Sequence, residues 1–140
     1  LDPFLIRPVG VVRSAIRNPS DAPKQGALTD QDAEIVVDTA YLPALEGLAE
    51  RARRGDCRVI VLCWMHLSDR GRLQVHPRGQ EGLPLRGVFS TRSPHRPNPV
   101  TLHTVRLLSV EGNILRVRGM DAVDGTPVVD IKPHSSDLDG

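Results

Sequence analysis

Residues 90–99, Ser-Thr-Arg-Ser-Pro-His-Arg-Pro-Asn-Pro, contain three prolines, two arginines, one histidine and no aliphatic side chain. Pro94, Pro97 and Pro99 fix their own φ and restrict Ser93, Arg96 and Asn98 to extended backbone. A segment stiffened in this way loses little entropy when it meets a ligand. Arg92 and Arg96 carry planar forks of donors that suit a carboxylate or a phosphate. The same residues would also serve a rigid connection whose arginines pair with nearby acids.

Three other groups carry chemistry. In Ala22-Pro23-Lys24-Gln25-Gly26, Lys24 and Gln25 could approach an anion or a nucleobase edge, or belong to a solvated loop. His66 ends the run Cys63-Trp64-Met65-His66, where an imidazole titrating near neutrality could act as a general base or simply close the core edge. Asp121 and Asp124 would suit a cationic ligand or a ribose diol, and equally could stabilise turns. Cys63, His66 and His76 lack the second tight ligand pair that zinc sites use, so no metal is expected. The chain has no Gly-x-Gly-x-x-Gly after a strand, no Walker loop and no Gly-x-Ser-x-Gly elbow.

The elements that must position these groups read mainly as strands. Phe4–Ser14 has strand character interrupted by Pro8 and Gly10, and 17–31 reads as a long loop. Ala33–Asp38 reads as a short strand. Leu42, Leu45, Leu48 and Ala49 then fall at helical spacing, with Gly55 as a stop. Cys57–Leu67 is the most apolar strand, which suggests cover on both faces. A polar excursion follows, with a short strand at Leu73–His76, and Gly87–Ser90 reads as another. Val105–Val110 and Ile114–Arg118 flank Glu111-Gly112-Asn113 as a hairpin, and Asp124-Gly125 turns into a strand at Pro127–Ile131. About seven short strands with one helix predict a mainly β fold, a small antiparallel or mixed β-barrel. One domain over 1–140 is expected, with 132–140 as a loose tail and no C-terminal extension.

Bulk properties narrow the class. The 140 residues suffice for a buried core. A net charge of +1 argues against a purely non-specific nucleic-acid binder, although arginines cluster at 51–54 and 86–96. Two phenylalanines, one tryptophan and one tyrosine are too few for a multi-base stacking platform. Val59–Met65, the longest apolar run, is too short to span a bilayer, so no membrane partner is expected. Cys57 and Cys63 lie too far apart along one strand to bridge, and are expected as free thiols in a reducing compartment.

Two long motifs then stand in register: Val-Phe-Ser-Thr-Arg-Ser-Pro-His-Arg-Pro-Asn-Pro-Val at 88–100 and Asp-Ala-Val-Asp-Gly-Thr-Pro-Val-Val-Asp-Ile-Lys-Pro at 121–133. Shorter matches are Pro8–Ser14, Pro-Lys-Gln-Gly at 23–26, Leu45–Leu48 and Val61–His66. Together they resemble the TsaA-like (YaeB-like) family, S-adenosylmethionine-dependent methyltransferases of the exocyclic nitrogen of threonylcarbamoyladenosine beside the tRNA anticodon. The resemblance implies a small β-barrel unlike the Rossmann-type methyltransferase sheet. It also implies a cytoplasmic homodimer that binds the methyl donor near the subunit interface and acts on tRNA. Carried over by motif, the donor would be held by Lys24, Gln25, His66, Leu67, Arg92, Leu102, Gly119, Met120 and Asp121. His66 is then the candidate proton acceptor, and Arg96 a candidate for the threonyl carboxylate. This chain departs from the family pattern at Lys24, where arginine is usual, at Met65, where phenylalanine is common, and at Thr101, where glycine is usual. Two other readings stand beside this one: a methyltransferase of a small molecule or another RNA, and a non-catalytic donor-binding regulatory module.

Overall fold

Alternation of buried and outward side chains builds this fold. In Arg58–Trp64 the residues Val59, Val61 and Cys63 are fully buried, while Ile60, Leu62 and Trp64 between them are partly exposed. Apolar residues on both faces therefore did not mean full burial on both faces. Each strand of a closed barrel turns one face inward and the other toward the outside. The structure, a computed structural model, describes residues 1–18 and 31–140.

The elements run β1 (Gly10–Arg13), β2 (Asp32–Val37), α1 (Leu48–Arg53), β3 (Arg58–Trp64), β4 (Gln74–Val75), β5 (Arg86–Gly87), β6 (Val100–Glu111), β7 (Ile114–Arg118), β8 (Pro127–Pro133) and α2 (Ser136–Asp139). Six strands close an antiparallel barrel in the order β1-β2-β7-β6-β3-β8, and β4 and β5 form a separate two-stranded ribbon. The expected β-barrel is thus present. Its core comprises Val12, Ile35, Val59, Val61, Val105, Leu107, Leu115, Val117 and Val128, with Met120 and Ala122 from the segment after β7.

Several boundaries differ from the sequence reading, for local reasons. The strand expected from Phe4 begins only at Gly10, and Phe4 and Leu5 are exposed. A Cβ at Gly10 would lie 2.5 Å from the Val36 carbonyl oxygen, so the strand enters the barrel where only glycine allows that approach. The single helix expected after Tyr41 is broken in two. A 3₁₀ segment, Thr39–Leu45, is capped by Asp38 Oδ1 accepting from Ala40 N at 2.9 Å, and α1 starts after Gly47 at φ +92°. The strand expected at Gly87–Ser90 ends at Gly87, and Val88–Ser90 coils into a 3₁₀ turn. Residues 132–140 carry the end of β8, with His134 N donating to Arg58 O at 3.0 Å, and then the short α2.

The hairpin between β6 and β7 stands where the sequence placed it. Gly112 sits at φ +59°, and Asn113 Nδ2 donates to Val37 O at 2.8 Å while Val37 N donates to Asn113 O at 2.9 Å. The turn is therefore bonded to the end of β2 as well as to its own strands. Both cysteines are buried and free.

Candidate functional site

The site grows from a mismatch in strand length. β6 pairs with β3 over Val100–Arg106, but with β7 only over Arg106–Glu111. Its first half therefore carries a strand on one side only. Gly119, at φ +95°, turns the chain away as β7 ends, and Met120 and Asp121 follow. Backbone beyond a positive-φ glycine departs from the sheet direction, which β-branched residues resist. The outcome is a notch in the ladder, the unpaired edge of β6 beside residues 119–121.

Asp121 closes that notch from one side. Its Oδ1 lies 2.7 Å from His103 Nδ1, and His103 Nε2 lies 2.8 Å from Thr101 Oγ1. The side chains are 9% exposed for His103 and 19% for Asp121. Thr101 and His103 occupy the inward face of β6, four and two residues before Val105, and Thr101 faces Cys63 across the β3 pairing. Burial, with a smaller contribution from the Asp121 charge, pushes the Cys63 thiol up to about 12. Asp121 Oδ2 has no hydrogen-bond or ion-pair partner among the described residues.

Two loops at this end of the barrel are tied together. Asp69 N donates to His95 Nδ1 at 3.0 Å, and Arg70 donates from Nε to Pro97 O at 2.7 Å and from Nη2 to Asn98 Oδ1 at 3.2 Å. The Arg70 guanidinium also lies over the Trp64 ring, 5.1 Å from its centroid. Met65 N donates to Pro99 O at 2.8 Å, which fixes the exit of β3 against the entry of β6. Within 88–99, Ser93 N donates to Thr91 Oγ1 and His95 N donates to Ser93 Oγ, both at 3.2 Å. The segment's stiffness comes from these hydroxyl-centred turns as well as from its prolines.

The structure brings most of the sequence-predicted residues to this end. His66 and Leu67 follow β3 and are exposed; no described residue orients the His66 imidazole. Arg92 is exposed and makes no ion pair with a described residue, so its fork is open to an anion. Leu102, 46% exposed, points outward opposite Leu62, on the face away from Thr101 and His103. Contact from Leu102 to a ligand in the notch therefore falls to its backbone. Met120 is buried in the core, which leaves Asp121 as the side chain of its segment with an open polar atom. Arg96 donates through Nη2 to Val88 O and to Thr91 O, the latter at 3.0 Å, and its buried Nε meets no described acceptor. Arg96 thus shapes the loop, and only Nη1 remains for a substrate carboxylate. Lys24 and Gln25 lie outside the described residues. Asp124 belongs elsewhere: it accepts from Ser14 N at 3.0 Å and from Arg17 Nη1 at 2.7 Å.

His103 and Arg70 were missed by the sequence reading. A signal for His103 was present: Thr101 and His103 are polar at the two positions that precede Val105 and Leu107 on the inward face of one strand. Arg70 carried none, because its role depends on a loop 27 residues away. A shallow concavity of about 650 Å³ lies at a different place, lined by Arg13, Arg17, Asp32, Glu34, Arg116 and Asp124. Ion pairs engage several of its charges, Arg17 with Asp124 and Arg116 with Asp32, so it is no ready anion site. Among the described residues no cluster of three or more His, Cys, Asp and Glu could hold a metal ion, and no helix is long and apolar enough to cross a membrane.

The donor groups of the notch fit an adenosyl sulfonium amino acid by chemistry. An open carboxylate oxygen on Asp121 suits its cationic or hydroxyl-bearing parts, Arg92 its carboxylate, and the unpaired backbone of β6 a base edge.

Comparison with known proteins bears on the same fold. A probable S-adenosyl-L-methionine-binding protein of Methanothermobacter thermautotrophicus is 52% identical over 134 residues, covering 96% of this chain and 92% of the relative. An S-adenosyl-L-methionine-binding protein of Archaeoglobus fulgidus is 44% identical over 136 residues, covering 97% and 93%. The crystal structure of TrmO from Pseudomonas aeruginosa superposes with a TM-score of 0.76 at 30% identity, over 99% of this chain. A second TrmO crystal structure gives 0.78 at 31% identity, over 100%. The chain spans 59% of the length of each of these two structures. The family model of the tRNA-methyltransferase O N-terminal domain matches residues 11–140. With its barrel, its two motifs and these matches in agreement, the chain belongs to the TsaA-like family of tRNA-methyltransferase O N-terminal domains.

Proposed function

We propose that this protein is an S-adenosylmethionine-dependent methyltransferase whose acceptor is the exocyclic nitrogen of threonylcarbamoyladenosine beside the tRNA anticodon. The observation that carries the reading is the notch, where the open edge of β6, Asp121 and the loop of His66 and Leu67 meet at one end of the barrel. Relatives named for S-adenosylmethionine binding support the donor, and the TrmO structures and family match support the tRNA acceptor.

The donor supplies a methyl group on a cationic sulfur, ready for in-line displacement. The residues of this chain supply alignment, which can account for much of the rate of such a transfer. Arg92 holds the donor carboxylate, Asp121 Oδ2 faces its cationic or hydroxyl groups, and Leu102 and Gly119 offer backbone. Met120 anchors this backbone in the core. Lys24 and Gln25 complete the donor set, and His66 and Leu67 form its rim. Arg96 Nη1 is assigned to the threonyl carboxylate. The protein works as a cytoplasmic homodimer, and the exposed Leu67 after β3, Phe89 in the turn before residues 91–99 and Leu102 on the outer face of β6 support a subunit seam near that end.

Labelled donor and tRNA bearing threonylcarbamoyladenosine provide the test. Label should enter that nucleoside, and sedimentation should give twice the chain mass. Label entering only a small molecule or another RNA would replace the acceptor. Donor binding without transfer to anything would leave a regulatory module.

A further inference from the structure

The notch contains a hydrogen-bonded line that the donor site does not require. Along the inward face of β6 the side chains are Thr101, His103, Val105 and Leu107, and the last two are wholly enclosed. On β3 the facing positions are Val59, Val61 and Cys63, again wholly enclosed. Two polar side chains in that apolar lining cost stability unless each is satisfied. An aliphatic pair would pack there more simply.

The line has a direction. An ionised Asp121 only accepts, so His103 donates to it from Nδ1, at 2.7 Å. With the imidazole neutral, Nε2 then carries the lone pair and accepts from the Thr101 hydroxyl, at 2.8 Å. Thr101 Oγ1 is the half-buried end of the line, and its remaining lone pairs meet no donor among the described residues. Hydroxyl, imidazole and carboxylate in this order make a base of the hydroxyl oxygen, the imidazole receiving its proton and the carboxylate stabilising the imidazolium. By contrast, nothing described fixes the tautomer of His66.

We infer that Thr101, His103 and Asp121 form a proton-accepting relay for methyl transfer, with Thr101 as the catalytic residue and His103 as the positioning residue behind it. The inference rests on the proposed function. As the acceptor nitrogen's lone pair forms its bond to the methyl carbon, the sulfur–methyl bond breaks and its electron pair stays on sulfur. The proton of the acceptor nitrogen moves to Thr101 Oγ1, and the Thr101 proton moves to His103 Nε2. The products are a methylated neutral nitrogen, a neutral thioether and an imidazolium paired with Asp121. Asp121 divides its two oxygens, Oδ1 for His103 and Oδ2 for the donor.

The test compares wild type with Thr101→Val, Thr101→Ser and His103→Gln. Imidazole ¹⁵N NMR of wild type, assigned by the signal lost in His103→Gln, should show His103 protonated on Nδ1. Thr101→Val and His103→Gln should lower kcat on modified tRNA by about 10²–10⁴-fold, the usual reach of general base catalysis, with the donor Kd from calorimetry unchanged. Thr101→Ser should recover most of the turnover lost in Thr101→Val. Protonation on Nε2, full turnover in Thr101→Val or His103→Gln, or a matching loss of donor affinity would each overturn the relay. An active wild type with unaffected variants breaks the relay alone. A wild type that binds donor and methylates nothing breaks the proposed function, and the relay with it.

Discussion

The two halves of β6 are built on opposite terms. From Arg106 to Glu111 the strand pairs with β7, ends in a turn hooked to β2, and faces an apolar interior. From Val100 to Val105 it lacks that partner, and two of its inward residues are polar. One half is held by burial. The other pairs with β3 alone, and the loops leading into it are fixed by hydrogen bonds, from Arg70 and Asp69 N across to residues 95–98 and onto the Thr91 and Ser93 hydroxyls within 91–95. The difference teaches that a barrel can present open backbone by leaving one strand longer than its neighbour, because unpaired backbone needs partners.

If the halves are separable, substitutions should divide between stability and binding. Leu115→Ala, in the closed half, removes a fully buried side chain and should cost about 2–5 kcal/mol in urea unfolding. Donor affinity per folded molecule should hold, and a large loss of affinity would break the comparison. Arg92→Ala should do the reverse, weakening donor binding by about 1.5–3 kcal/mol in calorimetry, with an unchanged unfolding midpoint. Unchanged affinity would remove Arg92 from the donor site. Gly112→Ala forces a side chain into φ +59° and should cost about 1–2 kcal/mol, read by the same unfolding experiment.

The smallest expected effect sharpens the boundary between the halves. Arg118, opposite Arg106, places its Nε 2.8 Å from Asp32 Oδ1. Hydrogen bonding from Arg118, beyond its charge and that of Arg116, holds the Asp32 carboxyl below the usual range. A lowered folded pKa stabilises the protein at pH values above the unfolded pKa, and the gain is lost as pH falls through the folded value. Asp32→Asn should therefore lower Tm slightly at neutral pH, and the gap to wild type should close on acidification below the ordinary carboxylate range. A gap that stays constant with pH would show that the pair contributes through packing alone.

Much of the closed half was legible because its signals are local. Glu111-Gly112-Asn113 between two alternating runs specifies a hairpin by itself. The family motifs, by contrast, pointed to residues that the structure gathers at one end of the barrel, where composition alone had offered a cationic clamp. What stayed hidden depends on long-range closure. The sequence reading ended β7 at Arg118, but which strands flank residues 100–105 depends on barrel closure, so the bare edge of β6 could not be read. Arg96 has the composition of a ligand residue, but its neighbours in space, Val88 O and Thr91 O, make it a staple. His103 needs Asp121, 18 positions on, to become more than a strand residue.

The enclosure of Cys63 has a consequence for a protein that handles an alkylating agent as proposed. Sulfonium donors react with soft nucleophiles, and a thiolate is the softest a protein offers. With burial pushing the thiol up to about 12, its neutral form dominates at neutral pH. The desolvation that silences the sulfur is supplied by the same wall that carries Thr101 on its other strand. A methyl donor held as proposed thus meets a buried, protonated thiol and not a thiolate.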